Sequence, residues 1–163
     1  MSFFARQVYS ATRFFNGIAA AAIAGMMLLT CGDILLRFLR RPIPGTYEMV
    51  GFLGALGVSF ALAQTSLERG HIAVDFLVQR LSSRLQTLVD GVNAAVCAGL
   101  FGLAAWHSLQ HGMDLKAAGE VSMTLQLPVF PFVWGVAAGC GMLTVVLVMR
   151  AVGALLRLTT DQP

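Results

Sequence analysis

An all-α integral membrane protein is the fold class this sequence predicts: a four-transmembrane-helix bundle forming a single membrane domain over residues 1–163, with an additional interfacial amphipathic helix between helices 2 and 3. Four stretches, 14–32, 49–67, 91–113 and 121–149, contain no Asp, Glu, Lys or Arg, and each holds at least 19 residues. About 20 mainly apolar residues, rising about 1.5 Å each, cross a hydrocarbon core about 30 Å thick. Composition agrees: the chain is 57% hydrophobic and 12% charged, with a mean hydropathy of +0.76, where a soluble domain is about a quarter charged. In lipid the backbone must satisfy its own hydrogen bonds, so a span is a helix or part of a closed barrel. These runs are too long and too evenly apolar for barrel strands, which alternate over about 10 residues. The segments left over are too short for a soluble catalytic domain, and the chain reads as a non-enzyme.

The elements follow in order. Helix 1 is expected over about 14–38. Arg6 and Arg13 precede its apolar core and Ala22-Ile23-Ala24 resembles a cleavage site. The run nevertheless continues through Met26, Met27, Leu28 and Leu29, too long for a signal core, so an uncleaved span is the reading. Asp33 and Arg37 lie four apart in its last turns and share a face. Pro42, Pro44 and Gly45 stop the helix and turn the chain. Thr46 is expected to cap helix 2, about 46–66, with Glu48 in the first turn, where an acid suits the helix dipole. Gly51, Gly54 and Gly57 form a small-residue stripe for close helix packing.

The segment 72–88 differs in character. Val74, Leu77, Val78, Leu81, Leu85 and Leu88 fall within about 100° of a helical wheel. Asp75, Gln79, Ser82, Ser83 and Gln86 lie opposite, and Arg80 and Arg84 flank the apolar face, where long side chains snorkel to headgroups. This predicts a helix lying in the interface, in contact with membrane lipid; the alternative is a cytoplasmic extension of helix 3. Helix 3 is expected over about 89–110 and helix 4 over about 129–158. Between them lies a loop carrying Asp114, Lys116 and Glu120. Pro128 and Pro131 mark the entry to helix 4, where a missing N–H costs least, and Gly135 and Gly139 form a G-x-x-x-G packing motif.

Four spans put both termini on one side. Arg6, Arg13, Arg69, Arg80, Arg84, Arg150 and Arg157 lie on that side, against Arg37, Arg40, Arg41 and Lys116 on the other. The positive-inside rule then makes the termini cytoplasmic. The net charge of +3 is too small to suggest nucleic acid.

Ionisable groups within spans are costly and are the first functional suspects. Asp33 is the deepest; it reads either as a proton or cation site or as an interfacial pair with Arg37. Glu48 reads as a cap and salt-bridge partner. No span carries paired acids at mid-membrane. His107 and His111 sit at i, i+4 on one helix face and cannot straddle a haem iron, and His71 lies at the opposite membrane face, too far for a three-His zinc site. Cys31, Cys97 and Cys140 all fall in apolar runs and read as buried thiols. No catalytic, metal, substrate-binding or cofactor-binding residue is assigned, and no cofactor is expected. Trp106 and Trp134 fit an interfacial aromatic belt.

Several phrases together resemble a known family. Asp33-x-x-x-Arg37 followed by Pro42-Ile43-Pro44-Gly45-Thr46-Tyr47-Glu48-x-Val50-Gly51 is similar to the start of the small permease subunit of a TRAP (tripartite ATP-independent periplasmic) transporter, the DctQ-like family. Gly70-His71-Ile72-x-Val74-Asp75 and Ser122-x-Thr124-Leu125-x-Leu127-Pro128-x-x-Pro131 resemble its later signatures. The resemblance runs from about residue 10 to 155. It implies a small four-helix subunit in a bacterial inner membrane, serving as scaffold for a large permease subunit. That subunit carries the solute, often a carboxylate, with sodium, after a periplasmic substrate-binding protein has captured it. On this reading Asp33, Arg37, Glu48 and the glycines at 51, 54, 57, 135 and 139 are structural or subunit-interface residues. Arg40, Arg41, Lys116 and Glu120 are the exposed candidates for docking on the periplasmic side. A rival reading is a small autonomous proton-coupled exporter with Asp33 as carrier; a third is an enzyme's membrane anchor binding haem or quinone.

Overall fold

Helices account for most of the chain in the structure, a computed structural model that describes residues 3–67 and 83–160, with side chains over 7–66 and 85–156. They are α1 (Phe3–Phe38), α2 (Thr46–Leu67), α3 (Ser83–Ala118) and α4 (Phe130–Thr160). All four are long and apolar enough to cross a membrane.

Two helices outrun the expected spans. α1 starts eleven residues before the uncharged run, because Val8, Thr12, Ala19 and Ala22 continue one buried face through the turns that carry Arg13. Charges on the opposite face end an uncharged run without ending a helix. α3 begins at Ser83 and continues to Ala118, so 111–118, expected as loop, is helical. At 36 residues each, α1 and α3 are about 54 Å long, well beyond the hydrocarbon core. The expected amphipathic helix lies mostly outside the described residues, Arg80 included. Its last part, 83–88 with Arg84, forms the first turns of α3 and is continuous with the span.

Packing registers follow from small residues. Gly54 faces Met26 and Gly57 faces Ile23 and the Ala19 carbonyl, while Phe15 meets Phe60 edge-on at 4.8 Å, so α1 and α2 are antiparallel. Gly135 faces Leu56, Gly139 faces Ser59, and Phe52 stacks on Phe132 at 4.2 Å, so α2 and α4 run parallel. Gly112 receives the Trp134 ring, Gly102 faces Thr144 and Gly91 faces Ala154, so α3 and α4 are antiparallel. The helices therefore stand in the order α1–α2–α4–α3, with only slight contact between α1 and α4. The apolar core sits where α4 meets its neighbours, at Ala63, Ala98, Leu143 and Leu147. A third of the most apolar stretch of α2 and of α4 is buried, against 17% for α1 and 11% for α3. The start of α1 and the end of α4 lie at the same end of this layer.

Candidate functional site

The polar side chains that matter gather at the other end, where the α1–α2 turn meets the α3–α4 loop. α1 closes with a Schellman pattern: the Arg40 N–H donates to the Arg37 carbonyl (3.0 Å) and the Arg41 N–H to the Leu36 carbonyl (2.8 Å). Arg40 takes the left-handed conformation, φ 57°, in a place that usually falls to glycine. Inside the turn, the buried Asp33 carboxylate accepts from Arg37 Nε at 2.7 Å and from the Ile43 N–H at 2.9 Å. One acid thus ties the last turns of α1 to the segment that starts α2. The Arg37 guanidinium lies 5.4 Å from the Tyr47 ring centroid.

Thr46, expected as the cap, turns its hydroxyl back to donate to the Ile43 carbonyl (2.9 Å). The residue before it opens α2: the Gly45 carbonyl accepts from the Met49 N–H at 3.1 Å. Gly45 has φ 76°, and the Leu125 side chain occupies the space where a Cβ would project. Glycine is required there twice, for conformation and for room.

Glu48 completes the site. Its Oε1 accepts from the Thr124 N–H at 2.9 Å, and its Oε2 from the Leu125 N–H at 3.3 Å and from the Ser122 hydroxyl. An acid in the first turn of α2 thereby holds the tip of a loop more than seventy residues away. The loop is itself a tight hairpin. The Ser122 N–H donates to the Leu127 carbonyl (2.9 Å) and the Gln126 N–H to the Ser122 carbonyl (3.1 Å), with Gln126 at φ 52°. Chemically this is a clasp: a carboxylate taking donors that the loop cannot satisfy itself, beside a leucine seated on a glycine.

The structure brings Asp33, Arg37 and Glu48 together with the basic turn Arg40-Arg41, which is exposed. Lys116 stands apart. It occupies the last turn of α3, its ammonium 5.7 Å from the Phe130 ring centroid and 5.4 Å from that of Trp134. Glu120 is exposed just past the end of α3. That end is another Schellman pattern, with Gly119 at φ 65° and the Glu120 N–H donating to the Leu115 carbonyl at 3.1 Å.

Of the glycine stripe, Gly54 and Gly57 line the α1 contact, while Gly51 would place a Cβ in open space. Three-residue steps turn about 300°, so the stripe drifts off the contact face. Gly135 and Gly139 both face α2. His107 and His111 are exposed on α3, and of the cysteines only Cys140 is buried; Cys31 is exposed. From the sequence, Ser122, Thr124 and Leu125 had no assigned role and Gly45 only that of turning the chain. The signal that the three loop residues shared with Gly45 was their place inside the two phrases quoted for the family resemblance.

Those phrases meet physically at Glu48. A family model described as "Tripartite ATP-independent periplasmic transporters, DctQ component" matches residues 26–157, a range that includes Asp33, the α1–α2 turn, Glu48 and the loop it holds. No curated protein and no solved structure matches the chain. With four spanning helices and a family match over most of its length, the chain belongs to the DctQ family, a multi-pass membrane protein and small permease component of a tripartite transporter that also has a large permease and a substrate-binding protein.

Proposed function

We propose that the chain is the static scaffold of a sodium-coupled, binding-protein-dependent importer of carboxylate solutes, a single domain sited in a bacterial inner membrane with both termini cytoplasmic. The observation that carries this reading is how the acids Asp33 and Glu48, one buried and one half-buried, are used. Asp33 and Glu48 both accept hydrogen bonds from the chain's own backbone at one end of the helix layer. Acids used this way brace a structure, and a carrier site needs an acid that can exchange its partner. The long exposed faces of α1 and α3 suit contact with lipid and with a large permease subunit, against which a moving transport domain needs a fixed body.

The braced end supports a second part of the proposal. Arg40, Arg41, Tyr47 and Met123 are exposed around the clasp, Met123 at 98%. Such a rigid, basic and apolar surface fits docking of the substrate-binding protein, with Glu120 at its margin. Uptake assays in cells or vesicles with all three components test it. Arg40→Glu combined with Arg41→Glu is expected to lower uptake about tenfold at limiting binding protein, with partial recovery as its concentration rises. Substrate preference is expected to stay the same; a shifted preference would reject the scaffold reading. Asp33→Asn is expected to leave the sodium-to-substrate ratio unchanged, and a changed ratio would make Asp33 an ion site. Transport by the purified chain alone would favour the exporter reading instead.

A further inference from the structure

Between α3 and α4 runs an open-sided apolar cleft of about 420 Å³. Gly102 and Gly141 form part of its floor, Trp106 and Leu109 stand on the α3 side, and Trp134 and Thr144 mark its two ends on α4. The Thr144 hydroxyl donates to the Cys140 carbonyl at 2.9 Å, so it asks nothing of an occupant. From Trp134 to Thr144 is ten residues, about 15 Å of helix. A long, apolar groove open along its side has the shape that an extended hydrocarbon chain fills.

Beyond the Trp134 end the surface becomes polar. On α3, Gly112 and Lys116 follow Leu109 in helical steps of three and four, with the Trp134 ring packed over Gly112 between the cleft and the lysine. The Lys116 ammonium lies over Phe130 and Trp134, and among the described residues no carboxylate pairs with it. The Trp134 indole nitrogen is buried against Gly112, which leaves the ammonium as the group open to a headgroup. Indole rings favour the headgroup level of a bilayer, which places this cation where lipid phosphates lie.

We propose that the α3–α4 cleft is a binding site for one phospholipid of the surrounding leaflet, with an acyl chain along Gly102 and Gly141 and the phosphate against Lys116. Such a site needs neither the scaffold role nor the docking surface. The lipid fills a gap that packing of α3 on α4 leaves open, and it ties the least buried span of the layer to the bilayer.

Native mass spectrometry of the chain purified with its large permease in mild detergent tests the site. Lys116→Gln and Gly141→Leu are each expected to retain one phospholipid fewer than wild type, at unchanged recovery of the complex. A Cβ on Gly141 meets no atom within 4 Å, so leucine there enters the cleft without displacing the fold. Val96→Phe, on the exposed face of α3, serves as control and keeps the wild-type count. A second measurement needs no variant. Phosphatidylglycerol with a photoreactive group in mid-chain is expected to label α3 and α4 peptides containing Trp106 or Gly141. Diacylglycerol with the same group, lacking the phosphate, should label them about tenfold less. Unchanged lipid counts in both variants would overturn the proposal. So would equal labelling by the two probes, or photocrosslinking of Leu109 to the permease in place of lipid.

Discussion

Glu48 shows what a single residue can carry. In the sequence it is an acid in a first turn, where a capping or dipole role is the ordinary expectation. In the structure its carboxylate receives two backbone N–H groups and a hydroxyl from the loop tip. Glu48→Ala leaves those donors unpaired. Hydrogen exchange at Thr124 and Leu125 is expected to speed up about tenfold or more, with α1 amides unaffected. Gly45→Ala should loosen the same loop by another route, since its φ of 76° and the Leu125 contact both reject a side chain. Arg40 offers the opposite sign. Relieving its left-handed strain by Arg40→Gly is expected to stabilise the chain by about 1 kcal/mol, read as a raised Tm in detergent. The same variant should still lower uptake if Arg40 helps to dock the binding protein, which separates stability from function. The Asp33–Arg37 pair was legible in advance, because a four-residue spacing on a helix makes neighbours without any knowledge of the fold. The partners of Glu48 were not, because no local rule links residue 48 to residues 122–125.

At the level of helices, apolar runs located every span and misjudged two lengths. An uncharged run measures hydrocarbon; a helix ends where backbone bonding ends. For α3 that point is Gly119, eight residues or more past the expected boundary. The clearest element-scale prediction concerns α2 and α4. A Cβ on Gly139 would sit 2.7 Å from the Ser59 carbonyl oxygen, a backbone atom that cannot rotate away. Gly139→Ala should force the two helices apart and cost about 1–3 kcal/mol, measured as lost thermal stability in detergent. Gly51→Ala, with open space at its Cβ, should be neutral or stabilise by up to about 1 kcal/mol through helix propensity. The sequence treats these glycines alike, since both lie in small-residue patterns. Their difference depends on which way each helix is rotated toward its neighbour.

Taken whole, the molecule is a row of helices with α2 and α4 inside and α1 and α3 outside. Both outer helices keep most of their apolar surface uncovered, which a membrane subunit with a large partner can use and an isolated soluble chain could not sustain. If the clasp braces the end that faces the binding protein, Glu48→Lys should lower uptake and weaken recovery with the large permease together, with no change in substrate preference; co-purification and competition assays read both. The four spans, their alternating direction, the turn at Pro42–Gly45 and the family phrases were all available from residue order, because hydrophobic length and backbone stereochemistry are local properties. The neighbour order, the joining of two distant phrases at Glu48, the rotation of each glycine and the cleft beneath Lys116 came from the packed chain. Those depend on which helix faces meet, and that is set by many weak contacts acting together across the whole layer.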